Sequence, residues 1–276
     1  VAARLSRCPV ERISDHCWTA TSRFCRMNTV VVAGSDGCLL VDPGVHTDEL
    51  ATLAAEIRER FGRCVLAVSS HPHWDHLLWS TGLGAAPRFA SGRGCEFLAE
   101  PGRLSACRAE AVAEVPDCDA ALLGVVSSLR DEGRSGRIEW DGPRVEFVVH
   151  DGHAPGHLGL FVPEEGVLIA GDMCSDDEVP LLDLAGRDPL GDYWDGLNKL
   201  ARLAGDRCEV LVPGHGGVAC GGAEIRARFE RDRAYLDSLA AGGPVADARL
   251  GEGAPGWLVA EHEAAMAWSV RSRSSG

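Results

Sequence analysis

The sequence has no long hydrophobic run and almost no lysine. No apolar stretch among its 276 residues approaches the roughly 20 residues that a membrane-spanning helix needs, so we expect no membrane partner. Lys199 is the only lysine, and arginine carries the rest of the positive charge. Together with abundant alanine and glycine, this usage is typical of a protein from a GC-rich bacterial genome.

Positive charge is also scarce overall. The chain has 27 lysines and arginines against 41 aspartates and glutamates, which gives a formal net charge of −14 at pH 7. Such a surface repels phosphate backbones, which excludes a broad nucleic-acid interface and leaves only a local basic groove as an alternative. We therefore expect no nucleic-acid partner.

The eleven cysteines include no Cys-x-x-Cys pair. An odd number of cysteines, spread from Cys8 to Cys220, fits small apolar side chains in a reducing compartment better than a disulfide framework. The opening segment Val1–Val10 contains two arginines and a proline and has no apolar core, so it does not resemble a secretory signal, with an already trimmed start as the alternative. We expect a cytoplasmic protein.

The first part of the chain predicts strands followed by a helix. Thr29–Ala33 and Cys38–Val41 flank a Gly-Ser-Asp-Gly turn, which predicts a hairpin of two buried strands. Thr47 stands at an N-cap position, and apolar residues then recur at helical spacing up to Phe61. Val65–Val68 predicts a buried strand that leads directly into a histidine-rich loop.

A chain of 276 residues can bury a substantial core and is long enough for one large α/β domain or two small ones. We predict a single domain over residues 1–276. Between about residues 95 and 132 we predict a helical insertion that forms a lid or pocket wall. We predict a C-terminal helical segment over about residues 222–270 and a disordered tail from Arg271 to Gly276. Further strands are predicted at Val145–Val149, Leu158–Val162, Val167–Ala170 and Glu209–Val212, and a helix at Tyr193–Leu203.

The strongest chemical signal is His71-Pro72-His73-Trp74-Asp75-His76, directly after a predicted strand. Imidazole nitrogens and carboxylate oxygens are the ligands that zinc and similar metals prefer. A surface loop that happens to be rich in histidine is the alternative. Neutral histidines packed this closely gain little unless they bind something, so the pattern favours a metal site.

Three later segments also lie at predicted strand ends and carry further candidate ligands. They are His153-Ala154-Pro155-Gly156-His157, Gly171-Asp172 and Gly214-His215-Gly216. Taken alone, each of the two glycine-rich segments is as readily an ordinary turn as a metal site. Their order and their common setting favour a metal site.

In these elements the chain resembles the metallo-β-lactamase superfamily, from the Asp42-Pro43-Gly44 strand end to the final Gly-His. The resemblance covers roughly residues 28–217 and implies a four-layer αββα sandwich. It further implies two metal ions, with Asp42 bracing the histidine loop rather than binding metal. One ion would be held by His71, His73 and His157, the other by Asp75, His76 and His215, with Asp172 bridging both.

Two divalent ions roughly 3.5–4 Å apart can share one water and present it as hydroxide near neutral pH. The resemblance therefore implies a hydrolase that cleaves an ester-like bond with a metal-bridging hydroxide, which Asp75 helps to orient. We expect zinc, with iron and manganese as alternatives, and a small-molecule substrate. Whether the chain forms a homodimer stays open.

Within the superfamily, the chain looks most like the glyoxalase II-like thioesterases and the lactonases. Lactonases commonly carry a tyrosine three residues beyond the bridging aspartate, where this chain has Ser175, so Tyr193 is a candidate replacement. Leu77 and Leu78 after the histidine motif suggest an apolar surround. The competing hypotheses are an iron-dependent oxygenase such as a sulfur dioxygenase, a β-lactamase and a phosphodiesterase.

Some polar residues have two interpretations. His150 and His153 are expected to support ligands or to lie at the surface. An Arg-rich helix at about Ala223–Ala240 either binds an anionic thiol carrier or is a solvated face, and its interleaved acidic residues favour the second interpretation. Its arginines are Arg226, Arg228, Arg231 and Arg233.

Overall fold

The computed structural model describes residues 10–130 and 135–274, and these form two β-sheets covered by helices. The first sheet has seven strands paired in chain order. Its middle strands β4 and β5 are parallel, whereas β2, β3 and β4 pair in antiparallel fashion. The strands are β1 (Glu11–Arg12), β2 (Cys17–Thr21), β3 (Asn28–Ala33), β4 (Cys38–Val41), β5 (Cys64–Val68), β6 (Arg88–Ala90) and β7 (Ser127–Ser128).

The second sheet has six strands in the order β13-β12-β11-β10-β9-β8. All neighbours in it are antiparallel except β11 and β12, which are parallel. The strands are β8 (Ser135–Ile138), β9 (Val145–His150), β10 (His157–Val162), β11 (Val167–Gly171), β12 (Val210–Pro213) and β13 (Ala219–Cys220).

The described residues include six α-helices. The N-cap predicted at Thr47 is wrong by one residue, because the helix begins at Thr47 and His46 is its N-cap. The predicted strands and the two later helices are found within a few residues of their expected bounds. The helices are α1 (Thr47–Arg60), α2 (Gly92–Ala99), α3 (Arg103–Glu114), α4 (Pro189–Ala204), α5 (Gly222–Ala241) and α6 (Gly256–Ser274).

Alternation along the strands builds the layers. In β3, Val30 and Val32 point into the core between the sheets, whereas Val31 packs with α1 on the outer face. In β11, Ile169 faces the core between the sheets and Leu168 packs with α4 and α5. Both faces of each sheet are therefore buried, as a four-layer αββα sandwich requires, and the predicted fold class is confirmed.

The helices of the predicted 95–132 insertion occupy residues 92–114, and residues 131–134 lie outside the described part. Leu77 and Leu78 are buried beneath this segment and pack with Leu98, Ala111 and Leu123. The two leucines therefore anchor the α2–α3 segment. That they also give the metal site an apolar surround stays a prediction.

The C-terminal helices are tied to the sandwich by a buried ion pair. The Arg249 guanidinium lies 2.6 Å from Oδ1 of Asp232 on α5, and both side chains are almost fully buried. The same guanidinium donates hydrogen bonds to the carbonyl oxygens of Ser175 and Glu178. Because these carbonyls follow β11, the pair joins α5 to the loop after that strand.

The predicted disorder from Arg271 is wrong for residues 271–274, which continue α6. Residues 275–276 lie outside the described part of the chain. Among the described helices, none combines the length and the apolar character needed to cross a membrane.

The buried pair gives a test of stability. Replacing Asp232 with alanine leaves the Arg249 charge buried with fewer partners, so we expect the free energy of unfolding to fall by about 3–5 kcal/mol in urea titrations. The exposed Arg12–Asp15 pair is the control, and Asp15→Ala should change stability by less than about 1 kcal/mol. Equal small losses in both variants would contradict the assigned role of Asp232.

Candidate metal centre

Five strand ends meet at one edge of the sandwich and carry the polar side chains of the site. The loops after β4 and β5 bring Asp42 and the histidine motif, and the loops after β9, β11 and β12 bring His153, Asp172 and His215. The carboxyl ends of neighbouring parallel strands lie at the same edge, which explains why residues far apart in sequence converge here.

The first donor group is formed by His71, His73, His153 and Asp172, whose ligand atoms lie within 4.8 Å of one another. His73 Nδ1 lies 3.0 Å from His71 Nε2 and 3.0 Å from His153 Nε2. Three imidazoles and one carboxylate at this spacing can hold one metal ion.

The second donor group is formed by Asp75, His76 and His215. His76 Nε2 lies 3.3 Å from His215 Nε2, and Asp75 Oδ2 lies 3.2 Å from His215 Nε2. Asp75 and His76 stand on one 3₁₀ turn, Trp74–His76, and His76 Nε2 lies 3.6 Å from Asp75 Oδ2.

Asp172 lies between the two groups. Its Oδ2 is 3.5 Å from His71 Nε2 and 3.4 Å from His153 Nε2, while its Oδ1 is 3.2 Å from His76 Nε2. His215 Nε2 is 3.6 Å from Oδ2. One carboxylate therefore contacts imidazoles of both groups, as a bridging ligand would.

Polar partners orient three of the imidazoles, those of His153, His215 and His71, through the second ring nitrogen. His153 Nδ1 donates to the Leu181 carbonyl at 3.0 Å, and His215 Nδ1 donates to the Cys25 carbonyl at 3.0 Å. In both rings Nε2 consequently faces the donor groups. His71 is oriented by the Ser70 hydroxyl, 2.9 Å from Nδ1.

Asp42 braces the histidine loop from the end of β4. Its Oδ1 accepts a hydrogen bond from Ser70 N at 2.7 Å, and its Oδ2 lies 3.0 Å from His76 Nδ1. The backbone of Asp42 is left-handed, with φ of 50°, and Thr29 Oγ1 holds it by donating to the Asp42 carbonyl at 2.8 Å. One carboxylate thus fixes both the loop and the tautomer of His76.

Glycine is required where β11 and β12 end. Gly214 N donates to the Gly171 carbonyl at 2.6 Å, and a Cβ at Gly214 would overlap the Asp172 carboxylate. This close approach explains why a glycine precedes His215.

The structure does not bring His157 into either donor group. Its Nε2 accepts a hydrogen bond from Asp172 N at 3.1 Å, and its Nδ1 lies 3.2 Å from His150 Nε2, so neither ring nitrogen is available for metal. His153, which we expected to support a ligand or to lie at the surface, takes the place predicted for His157. His157 instead supports the backbone of Asp172 from below.

A signal in the sequence distinguishes the two histidines. Every other candidate ligand lies in a loop after a strand, and His153 also follows β9 in this way. His157 is the first residue of β10 and continues an apolar run, so its side chain belongs to the interior. The resemblance placed the ligand at His157 because this residue follows Pro155 and Gly156. That pattern does not show which way the ring points.

The histidines of the first group are kept neutral. Burial lowers the pKa of His153 to about 3, with a further contribution from His73. Burial, followed by the neighbouring His76, holds the pKa of His71 well below its usual value. Neutral imidazoles have a free lone pair, which is the form that binds metal.

Carboxylates dominate the second group. Burial alone would lower the pKa of His215, but Asp172, Asp75 and Glu178 raise it to about 10. Asp75 stays ionised, because His76 and His215 overcome the effect of burial and lower its pKa to about 2. Surroundings that hold protons on imidazoles at this strength also favour a metal cation in their place.

The donor set fits divalent metal ions. Five imidazole rings and two carboxylates match the ligands of zinc and related metals. They belong to His71, His73, His76, His153, His215, Asp75 and Asp172. Asp172 Oδ1 is buried without a hydrogen bond among the described residues, although it approaches His76. A buried carboxylate oxygen without a donor is costly, and a metal ligand role would satisfy it.

A cleft of about 910 Å³ opens above the two groups. His73, Asp75, Asp172 and His215 form its floor, and the α2–α3 segment, which belongs to the predicted insertion, forms one wall. On α3, the side chains of Arg103, Ala106, Cys107, Glu110 and Glu114 line it at helical spacing.

Two other sequence hypotheses are not supported at this cleft. Tyr193 is buried away from it, and its hydroxyl donates to the Asp172 carbonyl at 3.4 Å, so it is no replacement for the lactonase phenol. None of the four arginines of α5 lines the cleft. Arg228 is buried and donates to the carbonyls of Cys174 and Gly217.

The fold and the site define an αββα sandwich with paired histidine–carboxylate groups at one sheet edge. Residues 23–215 match the family model of the metallo-β-lactamase superfamily, and the chain therefore belongs to that superfamily. Its members are mostly hydrolytic enzymes, and the His and Asp groups described above point to divalent metals.

Solved structures share the fold at low sequence identity. A metallo-β-lactamase family protein from Thermus thermophilus is 24% identical, with a TM-score of 0.62 and coverage of 84% of this chain and 83% of that one. DIM-1 metallo-β-lactamase is 16% identical, with a TM-score of 0.59 and coverage of 83% and 97%.

The stereoselective inverting sec-alkylsulfatase Pisa1 from Pseudomonas sp. is 19% identical, with a TM-score of 0.64. The match covers 84% of this chain but only 42% of the alkylsulfatase. No curated protein sequence gives a significant match.

The two neighbouring histidines can be separated by metal analysis. Because His153 Nε2 faces the first donor group, His153→Ala should lower bound zinc from about two ions to about one per chain. His157→Ala should retain about two ions and weaken binding by about 10–100-fold, as expected when a supporting group is lost. The control is His262→Ala, whose ring contacts Tyr235. Full retention in His153→Ala with loss in His157→Ala would contradict the assignment.

The pKa values predict a distinctive titration in protein stripped of metal by a chelator. The His215 pKa is raised to about 10, so its ring should stay protonated at pH 8 and lose its proton near pH 10. The His153 pKa is lowered to about 3, so its ring should show no titration above pH 5. Histidine NMR signals, assigned with His215→Asn, measure both. A His215 midpoint near 6.5 would contradict this electrostatic account.

Proposed function

We propose that this protein is a metallo-hydrolase that uses two divalent metal ions to cleave a carboxylic ester or thioester. The observation that carries the proposal is the shared Asp172 carboxylate, which contacts both donor groups at the floor of an open cleft. Two adjacent sites on one substrate cleft are the arrangement that dinuclear hydrolysis requires.

His71, His73 and His153 would hold one ion, and Asp75, His76 and His215 the other, with Asp172 shared. When bound, such ions supply a water of lowered pKa and polarise the bond to be cleaved. We propose zinc for both positions on the basis of the histidine-rich donor set. Iron and manganese are the competing metals.

Asp75 has a role besides metal binding. Its carboxylate lines the cleft and stays ionised, because its pKa is lowered to about 2. It can therefore accept a hydrogen bond from the attacking water and orient it toward the substrate.

The cleft wall favours an acyl group over a phosphodiester. Phe24, Trp74 and Phe97 contribute aromatic surface to it, and Leu181 and Leu184 add aliphatic surface. Acidic residues on α3 would repel a phosphodiester backbone. A thioesterase or lactonase activity on a small molecule fits these surroundings, although the described cleft residues include no phenol of the kind typical of lactonases.

A substrate panel tests the reaction class. We expect hydrolysis of hexanoyl esters or thioesters by zinc-loaded protein, and little turnover of phosphodiesters, sulfate esters or β-lactams. Metal analysis of protein purified without added metal accompanies the panel. Stoichiometric iron with oxygen consumption, or turnover confined to another bond class, would overturn the proposal.

The role of Asp75 in catalysis can be tested with a variant that keeps the fold. Asp75→Asn removes the charge but keeps the shape, so we expect kcat to fall by about 10²–10⁴-fold with little change in thermal unfolding. Asp36→Asn, on an exposed turn, is the matched control and should leave kcat unchanged. Unchanged activity in Asp75→Asn would remove this residue from the mechanism.

A further inference from the structure

The charge of the cleft is more one-sided than that of the whole chain. Outside the two donor groups, the described residues that line it include five acids and one base, Arg103. The whole sequence has 41 acidic and 27 basic residues, a much smaller excess. The acids are Glu110, Glu114, Glu178, Asp183 and Glu261.

The single base does not balance these acids. Arg103 Nε lies 3.2 Å from Oε2 of Glu100, which does not line the cleft. The Arg103 guanidinium also covers the Phe97 ring, 4.5 Å from its centroid. Its charge is therefore already engaged at the edge of the cleft. Within residues 10–130 and 135–274, Glu110, Glu114 and Glu261 form no ion pair.

Glu178 lies deep in the same cleft, and only 7% of its surface is exposed. Its carboxylate forms no hydrogen bond with any described residue. The basic atom recorded nearest to it, His215 Nδ1, is 3.8 Å away and donates to the Cys25 carbonyl instead. Because Glu178 lines the cleft and no described residue donates a hydrogen bond to its carboxylate, this side chain is open to a partner inside the cleft.

Aromatic rings stand among these acids. Phe24 and Trp74 pack edge to face with centroids 5.0 Å apart, and both line the cleft. At the mouth, α6 presents Trp257, which is 43% exposed, and Glu261 one helical turn later. Aromatic faces next to carboxylates attract organic cations, because the ring quadrupole and the negative charge act together.

We propose that the cleft selects a substrate that carries a positively charged amine or quaternary ammonium group on an apolar ester or thioester. This proposal rests on the hydrolase function proposed above. The aromatic and aliphatic wall takes the apolar part, and the acids of α3 and α6 take the cation. The same negative charges disfavour a substrate with an anionic acyl carrier. The arginines of α5, which could have bound such a carrier, are not among the described residues that line the cleft.

Matched thioesters that differ only in charge test the selectivity. Hexanoyl thioesters of thiocholine, of 3,3-dimethylbutanethiol and of 2-mercaptoethanesulfonate are cationic, neutral and anionic at similar size. We expect kcat/KM to be at least about tenfold higher for the cationic than for the neutral thioester, mainly through KM, and lowest for the anionic one. Equal values, or preference for the anionic thioester, would overturn the proposal while leaving the hydrolase function intact.

Variants on α6 provide a matched comparison. Glu261→Gln removes a charge from the cleft, whereas Glu263→Gln removes an exposed charge two residues away that does not line it. We expect Glu261→Gln, and more strongly Glu261→Gln with Glu114→Gln, to lower the ratio of kcat/KM for the cationic thioester to kcat/KM for the neutral one. Glu263→Gln should keep the preference. If the two single variants kept the same cationic preference and the double variant did not lower it, these acids would not be the groups that recognise the cation.

Binding separates this proposal from the hydrolase function. Hexyltrimethylammonium and hexyl sulfate cannot be hydrolysed as thioesters, and calorimetry of the zinc-loaded protein measures their affinity directly. We expect the ammonium compound to bind at least about tenfold more tightly. If no thioester is cleaved but this preference holds, the reaction class is wrong and the cation selectivity stands. If hexyl sulfate binds as well, the selectivity is wrong.

Discussion

The arrangement of the whole site depends on one buried carboxylate. Asp172 contacts imidazoles from both donor groups, and almost every supporting interaction described above acts on it or on its neighbours. His157 accepts from its backbone N–H, Tyr193 donates to its carbonyl, and Gly214 leaves the space that its side chain needs. A buried charge is tolerated only when it is compensated, so the surrounding histidines and the metal ions they would bind are a condition for keeping Asp172 at this position.

Sequence patterns predicted the layers well because burial imposes a simple periodicity. The continuous apolar run of β3 and the helical spacing in α1 are direct consequences of which faces are buried, and both were recognisable in the sequence. The histidine motif was equally clear, since its residues are adjacent in the chain. The choice of His157 over His153 rested on the resemblance alone, whereas the structure places His153 in the donor group. The deciding feature is where β10 begins. His153 lies in the loop before this strand and faces the cleft, whereas His157 is its first residue and is buried behind Asp172.

The residues that could not be foreseen act through tertiary contacts. Arg249 is unremarkable in sequence, yet its guanidinium joins α5 to the loop between Asp172 and Glu178. Glu178 and Trp257 have no local motif and become meaningful only where the cleft brings them together. Similarity to solved structures does not replace this information, because identities of 16–24% establish the sandwich and leave the walls of the cleft unconstrained.

Trp257 and Glu261 lie on α6, beyond the residues 23–215 that match the superfamily model. The donor residues at the floor of the cleft therefore lie inside the matched region, whereas these two residues at its mouth lie outside it. Mutation or exchange of the last helix can alter which molecules enter without disturbing the inherited ligand set.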